Sequence, residues 1–428
     1  MKLEVEVISK EIIRPSSPTP HQLCHYQLCS LDQLAPPVYN HLVLFYKNKS
    51  DIQIDNIKNV LDHLRLSVSK ALTYFYPLAG RIKDNLFIDC NDEGIPFKEA
   101  HVKCRLADIL QSPVPKELNK LFPFALDSAA ELPMGIQFNT FDCGGIGIGL
   151  CISHKIGDAL SYFTFLNTWA DIGRGDDQKI VLPEFVSTKL FPPRILSLPE
   201  PVVDTNKKNI ETKRFVFSAS KIEEIRAKYA ESGSLENQKR RSSRIEALSA
   251  FIWSRFIAST KERSSPDGFY TIVHTVNLRT RFELPLSDQS FGNIYHVAIT
   301  VPSMDSEKDC DNLVSQMRDS IRKIDKVFVE KLQVGEDLFD STNEGDENFN
   351  KGEKIPFVFT SLCKFPLYEA DFGWGKPIWI SSATLSSKNL VVFMDTASGD
   401  GIEAWINLTE EDMAAFGIDD ELLASFNN

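Results

Sequence analysis

The sequence predicts an α/β protein built from two halves of similar size. Its 428 residues exceed the length of one typical domain, which is about 150 residues. Apolar residues recur every three or four positions over residues 57–74, a pattern typical of a helix that packs on a sheet. They alternate over residues 146–152, which predicts a strand. Four prolines within residues 191–203 indicate an extended connection between the halves.

The first half is predicted to begin with a strand over residues 4–13, followed by a proline-rich loop. Strands over residues 138–142 and 145–153 predict a hairpin. A helix is predicted over residues 159–172, so His154 lies in the connection from strand to helix. Loops at such junctions often carry chemistry.

In the second half, a strand over residues 214–217 precedes a helix over residues 220–230. Ser243 and Glu246 have the spacing of a capping box ahead of a helix at 247–258. The apolar pattern predicts one long helix over residues 311–332. Further strands are predicted over residues 270–276, 294–301, 356–360, 377–380 and 390–394.

Charge and cysteine usage limit the classes of partner. The 59 acidic and 47 basic residues give a net charge of −12, which repels nucleic acid and anionic membrane surfaces. The N-terminus lacks the apolar core of a secretory signal, and no apolar stretch approaches the roughly 20 residues that span a bilayer. The eight cysteines have no zinc-ligand spacing. We therefore expect a metal-free protein of a reducing, cytoplasmic compartment, with no nucleic-acid or membrane partner.

The glycines at positions 144, 145, 147 and 149 do not match a nucleotide-binding fingerprint, and the sequence contains no P-loop. It also lacks the GxSxG of serine hydrolases and the HExxH of zinc peptidases. Those enzyme classes are therefore unsupported. Small residues on one strand instead predict that a second backbone or a ligand approaches that strand closely.

His154 and Asp158 form the one HxxxD pattern of the chain. Histidine has the side-chain pKa best suited to a general base near neutral pH, provided that its ring is neutral. A lone match of this kind is equally compatible with a structural histidine near a surface aspartate. The pattern alone leaves both interpretations open.

The pentapeptide Asp371-Phe372-Gly373-Trp374-Gly375 is more specific, because a five-residue match rarely arises by chance. With HxxxD before it, the chain resembles the plant BAHD acyltransferases over its whole length. Matching segments also occur at residues 76–81, 276–279, 292–293 and 401–405. Residues 15–20 and 90–92 are most similar to the clade that contains vinorine synthase and deacetylvindoline acetyltransferase.

The resemblance implies two chloramphenicol-acetyltransferase-like α/β domains joined by a long crossover, with an active-site channel between them. We assign residues 1–190 to the N-terminal acyltransferase domain that carries HxxxD and residues 191–212 to the crossover linker. Residues 213–428 form the C-terminal domain that carries DFGWG.

The resemblance also implies roles for individual residues. His154 would take the proton of an acceptor hydroxyl while its oxygen attacks the thioester carbonyl of an acyl-CoA. Asp158 would turn away from the channel, pair with Arg279 and hold the loop that aims His154. Asp371 would be either a catalytic acid or base or the start of a tight turn. We favour the turn, because Gly373 and Gly375 suit backbone angles closed to other residues. Burial of Trp374 would fix that turn.

The run of basic and hydroxyl residues over 239–244 is the most basic segment of the chain. Such runs are usually solvated. CoA carries phosphates, which a helix N-terminus with arginines and hydroxyls binds well. The resemblance favours this segment, so we assign CoA binding to Ser242, Ser243 and Arg244.

The predicted function is acyl-CoA-dependent O-acyl transfer in plant specialised metabolism, by a monomer without a permanently bound cofactor. Ser290 stands where anthocyanin malonyltransferases usually have tyrosine, so acetyl-CoA is the expected donor and a small alkaloid, terpenoid or other alcohol the acceptor. Leu362 replaces a common tryptophan, which indicates an altered acceptor pocket. The alternatives are malonyl transfer to a flavonoid or anthocyanin glycoside and, in another class, a non-catalytic binding protein.

Overall fold

The computed structural model describes residues 1–48, 54–125, 131–176, 178, 180–194, 209–229, 241–260, 268–302, 310–336 and 353–425. The chain divides into two compact units. The first consists of Met1–Val202, Leu286–Ile294 and Lys364–Ser386, and the second of Val203–Pro285, Tyr295–Cys363 and Ser387–Asn428. Of the predicted crossover linker, residues 195–208 lie outside the described residues.

The described strands and helices follow one another in a mixed order, which confirms the α/β class. In chain order they are β1 Val5–Ile13, β2 His25–Gln27, α1 Ser30–Leu34, β3 Tyr39–Tyr46, α2 Ile54–Tyr74, β4 Arg81–Lys83, β5 Phe87–Asp89, β6 Ile95–Val102, α3 Leu106–Gln111, α4 Pro115–Leu118, β7 Met134–Phe141, β8 Ile146–Ser153, α5 Ala159–Arg174, α6 Ser187–Leu190, β9 Ile210–Phe217, α7 Ala219–Lys228, α8 Arg244–Thr260, β10 Gly268–Asn277, β11 Tyr295–Thr300, α9 Cys310–Arg322, α10 Lys326–Val334, β12 Glu353–Ser361, β13 Trp379–Ser381, β14 Leu390–Asp395, β15 Ile402–Thr409, α11 Glu410–Phe416 and α12 Asp420–Leu423.

The first unit contains a six-stranded sheet in the order β1-β6-β7-β8-β3-β13. Only β6 and β7 pair in parallel, and the predicted hairpin is the antiparallel pair β7–β8. Every residue of β7 and β8 is buried, as expected of strands covered on both faces. Helices α2 and α5 pack against each other in this unit, and β2, β5 and β4 form a small separate sheet.

A glycine of β8 permits the close backbone approach that the sequence predicts. A Cβ atom at Gly149 would collide with the carbonyl oxygen of Leu121, which ends the short 3-10 helix Asn119–Leu121. Any larger side chain at position 149 would push this helix away from the sheet.

The second unit contains a six-stranded sheet in the order β11-β10-β12-β14-β15-β9. The central pairs β10–β12 and β12–β14 are parallel and the others antiparallel. Helix α8 supplies Phe251, Trp253 and Phe256 to a buried aromatic core that also contains Phe357 and Phe359 of β12. Helix α8 therefore supplies a large part of the aromatic core of the second unit.

The prediction of one helix over residues 311–332 is wrong, since two helices, α9 and α10, occupy this stretch. Asp325 precedes α10, and its side chain accepts a hydrogen bond from the backbone N–H of Phe328 at 3.0 Å. This N-cap starts a new helix, although the apolar spacing continues across the break.

The structure also differs from the predicted domain division. Strand β13 pairs antiparallel with β3, with Trp379 opposite Phe45. This pairing places residues 364–386, which include the DFGWG pentapeptide, in the first unit and not with the rest of residues 213–428. Segment 286–294 also belongs to the first unit, where Ser290 forms an isolated β-bridge with Glu184.

Among the described residues, no helix combines the length and the apolar character needed to cross a membrane. The same part of the chain contains no group of three or more His, Cys, Asp or Glu side chains able to hold a metal ion.

Candidate active site

His154 lies in the connection from β8 to α5, as the sequence predicts. Its backbone N–H donates to the carbonyl oxygen of Val38 at 2.8 Å. The turn that follows is closed by a hydrogen bond from Ile156 N–H to the carbonyl oxygen of Ser153 at 3.1 Å. The position of the histidine is therefore fixed by the end of the sheet.

Asn293 contacts the ring of His154. The Oδ1 atom of Asn293 lies 3.0 Å from Nδ1 of His154. Its Nδ2 donates to the backbone carbonyl oxygen of His154 at 2.7 Å and to Oδ1 of Asp32 at 2.9 Å. The side chain of Asn293 is thus hydrogen-bonded to both the ring and the backbone of His154.

Asp32 supports Asn293 from within the fold. It lies in the first turn of α1 and is fully buried, with 0% of its surface exposed. Its Oδ2 accepts from Cys29 N–H at 2.9 Å, and its Oδ1 also accepts from Asn293 N–H at 3.0 Å. Burial raises the pKa of Asp32, while the hydrogen bonds that it accepts act in the opposite direction.

Sequence reasoning did not identify Asp32 or Asn293 as site residues. Asn293 is 139 residues from His154 and 261 residues from Asp32 along the chain, so no local pattern joins the three. Asn293 lies in the segment 292–293 that matches the family, and the spacing of Cys29 and Asp32 resembles a helix cap. Neither signal indicates a contact with a histidine.

Asp158 binds the segment that carries Asn293. Its carboxylate caps α5 by accepting from Ser161 N–H at 3.0 Å, and its Oδ2 accepts from Ile294 N–H at 3.1 Å. The hydroxyl of Ser161 also bonds both the N–H and the carbonyl oxygen of Gly292. These bonds hold residues 292–294 against the start of α5.

The pairing of Asp158 with Arg279 remains a prediction. Arg279 belongs to the second unit, where 1% of its surface is exposed. Within that unit its backbone N–H donates to Oδ1 of Asn277 at 3.0 Å.

The electrostatic environment favours a neutral His154. Burial lowers the pKa of His154, and the nearby Asp158 and Asn293 offset part of this effect. Lys155 donates to the carbonyl oxygen of Gln33 at 2.9 Å, and burial lowers its pKa to about 8. The ring of His154 is therefore in its basic form near neutral pH.

The DFGWG pentapeptide forms a tight turn around its aspartate. Oδ1 of Asp371 accepts from the backbone N–H groups of Gly373 at 2.9 Å and Gly375 at 2.8 Å. Both glycines have φ of 104°, a region that other residues rarely adopt. The buried aromatic residue of the turn is Phe372 and not, as predicted, Trp374, which is partly buried and stacks on Phe372 at 5.4 Å between centroids. This geometry supports the turn interpretation, whereas a catalytic role of Asp371 stays an untested alternative.

The predicted CoA-binding residues lie together at the start of α8 in the second unit. Ser243 and Glu246 form the predicted capping box, with hydrogen bonds of 2.7 and 3.1 Å. Arg244 is paired with Asp395 at 3.1 Å. Ser242 is buried, and its hydroxyl has no hydrogen-bond partner among the described residues. Residues 239 and 240 of the basic run lie outside the described residues.

Comparisons with known proteins agree with this architecture. A model of the transferase family matches residues 3–423. Stemmadenine O-acetyltransferase of Catharanthus roseus is 38% identical, covering 98% of this chain and 97% of that protein. Limonoid 21-O-acetyltransferase of Melia azedarach is 37% identical, covering 99% and 98%. The crystal structure of vinorine synthase is 35% identical, with a TM-score of 0.83 and 99% of each chain covered.

The family model over residues 3–423 and the match to vinorine synthase over 99% of each chain identify the protein as a transferase with this α/β fold. The chain belongs to the transferase family of BAHD acyltransferases, which confirms the predicted resemblance. It is an acyl-CoA-dependent O-acyltransferase.

Proposed function

We propose that the protein transfers an acetyl group from acetyl-CoA to the hydroxyl of a small alkaloid or terpenoid alcohol, with His154 as general base. Support for the acetyl group comes from the relatives named above, two of which are O-acetyltransferases of stemmadenine and of limonoids. Support for the base comes from one observation, the contact of Nδ1 of His154 with Asn293 in a partly buried site.

The reaction is a direct transfer. Nε2 of His154, the ring nitrogen opposite the Asn293 contact, takes the proton of the acceptor hydroxyl while the hydroxyl oxygen bonds to the thioester carbonyl carbon. The resulting tetrahedral intermediate breaks its carbon–sulfur bond and releases the CoA thiolate. The imidazolium returns its proton to that sulfur, so the products are the ester and free CoA. No acyl-enzyme forms.

His154→Gln tests the base, because glutamine fills a similar volume without accepting a proton. Loss of a general base typically costs about 10²–10⁴-fold in rate, so we expect kcat to fall by that factor while the KM for acyl-CoA changes little. The measurement is thiol release from acetyl-CoA in the presence of a panel of alkaloid and terpenoid alcohols. Turnover within a few-fold of wild type would exclude His154 as the base.

Donor choice is tested in the same assay by replacing acetyl-CoA with malonyl-CoA. Faster thiol release from malonyl-CoA with a flavonoid or anthocyanin glycoside would show that the protein is a malonyltransferase and not an acetyltransferase. Binding of alcohols without thiol release from any donor would instead indicate a non-catalytic binding protein.

We also propose that the enzyme acts as a monomer in the cytoplasm. The cysteine usage supports the cytoplasmic location. The net charge of −12 supports the monomer, because like charges oppose self-association. Sedimentation of the purified protein and imaging of a fluorescent fusion test the two statements separately.

A further inference from the structure

The amide of Asn293 has one orientation that satisfies all of its neighbours. Its nitrogen lies 2.9 Å from Oδ1 of Asp32 and 2.7 Å from the carbonyl oxygen of His154. A carbonyl oxygen and an ionised carboxylate accept hydrogen bonds and donate none. The NH₂ group must therefore face these two acceptors, and the amide oxygen must face Nδ1 of His154.

This orientation decides where the imidazole carries its proton. An amide oxygen is an acceptor only, so at 3.0 Å it requires a hydrogen on Nδ1 of His154. A neutral imidazole has one N–H, which leaves Nε2 as the basic nitrogen. The opposite tautomer would place a lone pair of Nδ1 against the amide oxygen.

We propose that Asp32 is a positioning residue that acts through Asn293 to hold His154 in the tautomer with the proton on Nδ1. The inference deepens the proposed function and rests on it for the claim that Nε2 receives the proton of the acceptor. Asp32 bonds the side chain and the backbone of Asn293, and on this proposal it does not touch the reacting atoms. Its effect is exerted on the amide between them.

The charge and the burial of Asp32 suit this role. Hydrogen bonds to an ionised carboxylate are stronger than neutral ones and cannot reverse their direction. Oδ1 of Asp32 accepts both the side-chain and the backbone N–H of Asn293, so it fixes the residue at two points. An amide at position 32 would be able to donate as well as accept, and the Asn293 amide would lose part of its orientation.

The first test requires no variant of Asp32. In protein labelled with ¹⁵N-histidine, the protonated and unprotonated ring nitrogens of a neutral imidazole have well-separated resonances, and the signal missing from His154→Gln identifies His154. We expect Nδ1 of His154 to be the protonated nitrogen in the wild type above its pKa. A wild-type signal with the proton on Nε2 would overturn the proposal.

The second test compares Asp32→Asn with Asp158→Asn. Both replace a buried carboxylate that accepts from the backbone of residues 293–294, but only Asp32 bonds the Asn293 side chain. We expect Asp32→Asn to show a second His154 tautomer and a kcat lower by about 10–100-fold, with an unchanged KM for acyl-CoA. Asp158→Asn should keep one tautomer even where stability falls. Equal tautomer mixtures in both variants would show that Asp32 merely holds the loop.

If Asp32→Asn does not fold, Asn293→Leu replaces it, because leucine has the same branched arrangement of side-chain heavy atoms as asparagine but lacks the acceptor facing Nδ1. A single Nδ1–H tautomer in Asn293→Leu would contradict the proposal. The tautomer is observed without any substrate, so a wild type that transfers no acyl group would defeat the proposed function and leave this inference to be decided by the resonances. If the wild type is active but the variants keep its tautomer and its kcat, the proposed function stands and the role of Asp32 is overturned.

Discussion

At the scale of single residues, a buried histidine outside the active site provides a measurable pH dependence. His274 has 6% of its surface exposed, stacks on Phe359 and contacts the hydroxyl of Ser249 at 3.1 Å. Burial lowers its pKa from 6.5 to about 4. Between these values the unfolded chain binds a proton that the folded protein does not, so stability falls as the pH falls through this window.

We expect His274→Gln to reduce the loss of stability that the protein shows as the pH falls. Glutamine retains a polar group near Ser249 but does not titrate. Between about pH 7.5 and about pH 5 the wild type should lose about 2 kcal/mol more stability than the variant, because one pKa unit corresponds to about 1.4 kcal/mol. The free energy of unfolding is measured with urea at both pH values.

The control is His21→Gln, the same substitution at an exposed position. Identical slopes for wild type and His274→Gln would show that His274 does not couple folding to protonation.

At the scale of elements, variants of Asp371 in the DFGWG turn distinguish a structural role of this aspartate from a catalytic one. Asp371→Asn keeps an oxygen that accepts from the N–H groups of Gly373 and Gly375. We therefore expect a free energy of unfolding close to that of the wild type and a kcat within a few-fold of it. Asp371→Ala removes both hydrogen bonds and should cost about 1–3 kcal/mol in the free energy of unfolding. Urea unfolding and steady-state turnover of both variants measure these effects.

Gly373→Ala serves as a control for the turn itself. A Cβ atom at this position has nothing within 4 Å, so alanine would test the backbone angle alone and should destabilise the protein without a steric clash. A stable Asp371→Asn enzyme with kcat reduced 100-fold or more would assign Asp371 to the chemistry.

Local signals in the sequence were sufficient for much of the fold. The helix α2, the hairpin β7–β8 and the place of His154 between strand and helix follow from periodicity and turn residues over short stretches. The break at Asp325 was missed because a side-chain cap does not interrupt apolar spacing.

The support of the candidate site was not predictable from local signals. Asp32, Asn293 and His154 come from three distant segments, and only the folded chain brings them within hydrogen-bond distance. The buried strand β3, with seven of its eight residues buried, also escaped the sequence reading because its apolar residues run together and do not alternate.

At the scale of the whole molecule, the net charge of −12 opposes the binding of a polyanionic donor. We propose that Arg244 overcomes part of this repulsion at a CoA phosphate. Arg244→Ala should then raise the KM for acyl-CoA by about tenfold or more with little change in kcat, because a charge-assisted contact is worth about 1.5–3 kcal/mol. Initial rates with varied acyl-CoA measure both constants, and wild type should bind a dephospho-CoA thioester as weakly as the variant does.

Asp395→Asn is the matched variant, since it removes the carboxylate that now pairs with Arg244. If Arg244 binds phosphate, this change frees the guanidinium and should leave KM equal or lower. If Arg244 serves only the ion pair, neither variant should change KM or the discrimination against the dephospho donor.

The position of β13 in the first sheet has a consequence for how the protein is made. β3 lies between β8 and β13, and residues 43–45 of β3 have their partners at residues 379–381. During synthesis from the N-terminus, β3 can pair with β8 on one side, but residues 43–45 emerge long before their partners on the other side and stay an unpaired edge, a surface that readily joins other chains. We therefore expect the first sheet to be completed only after most of the polypeptide has been translated.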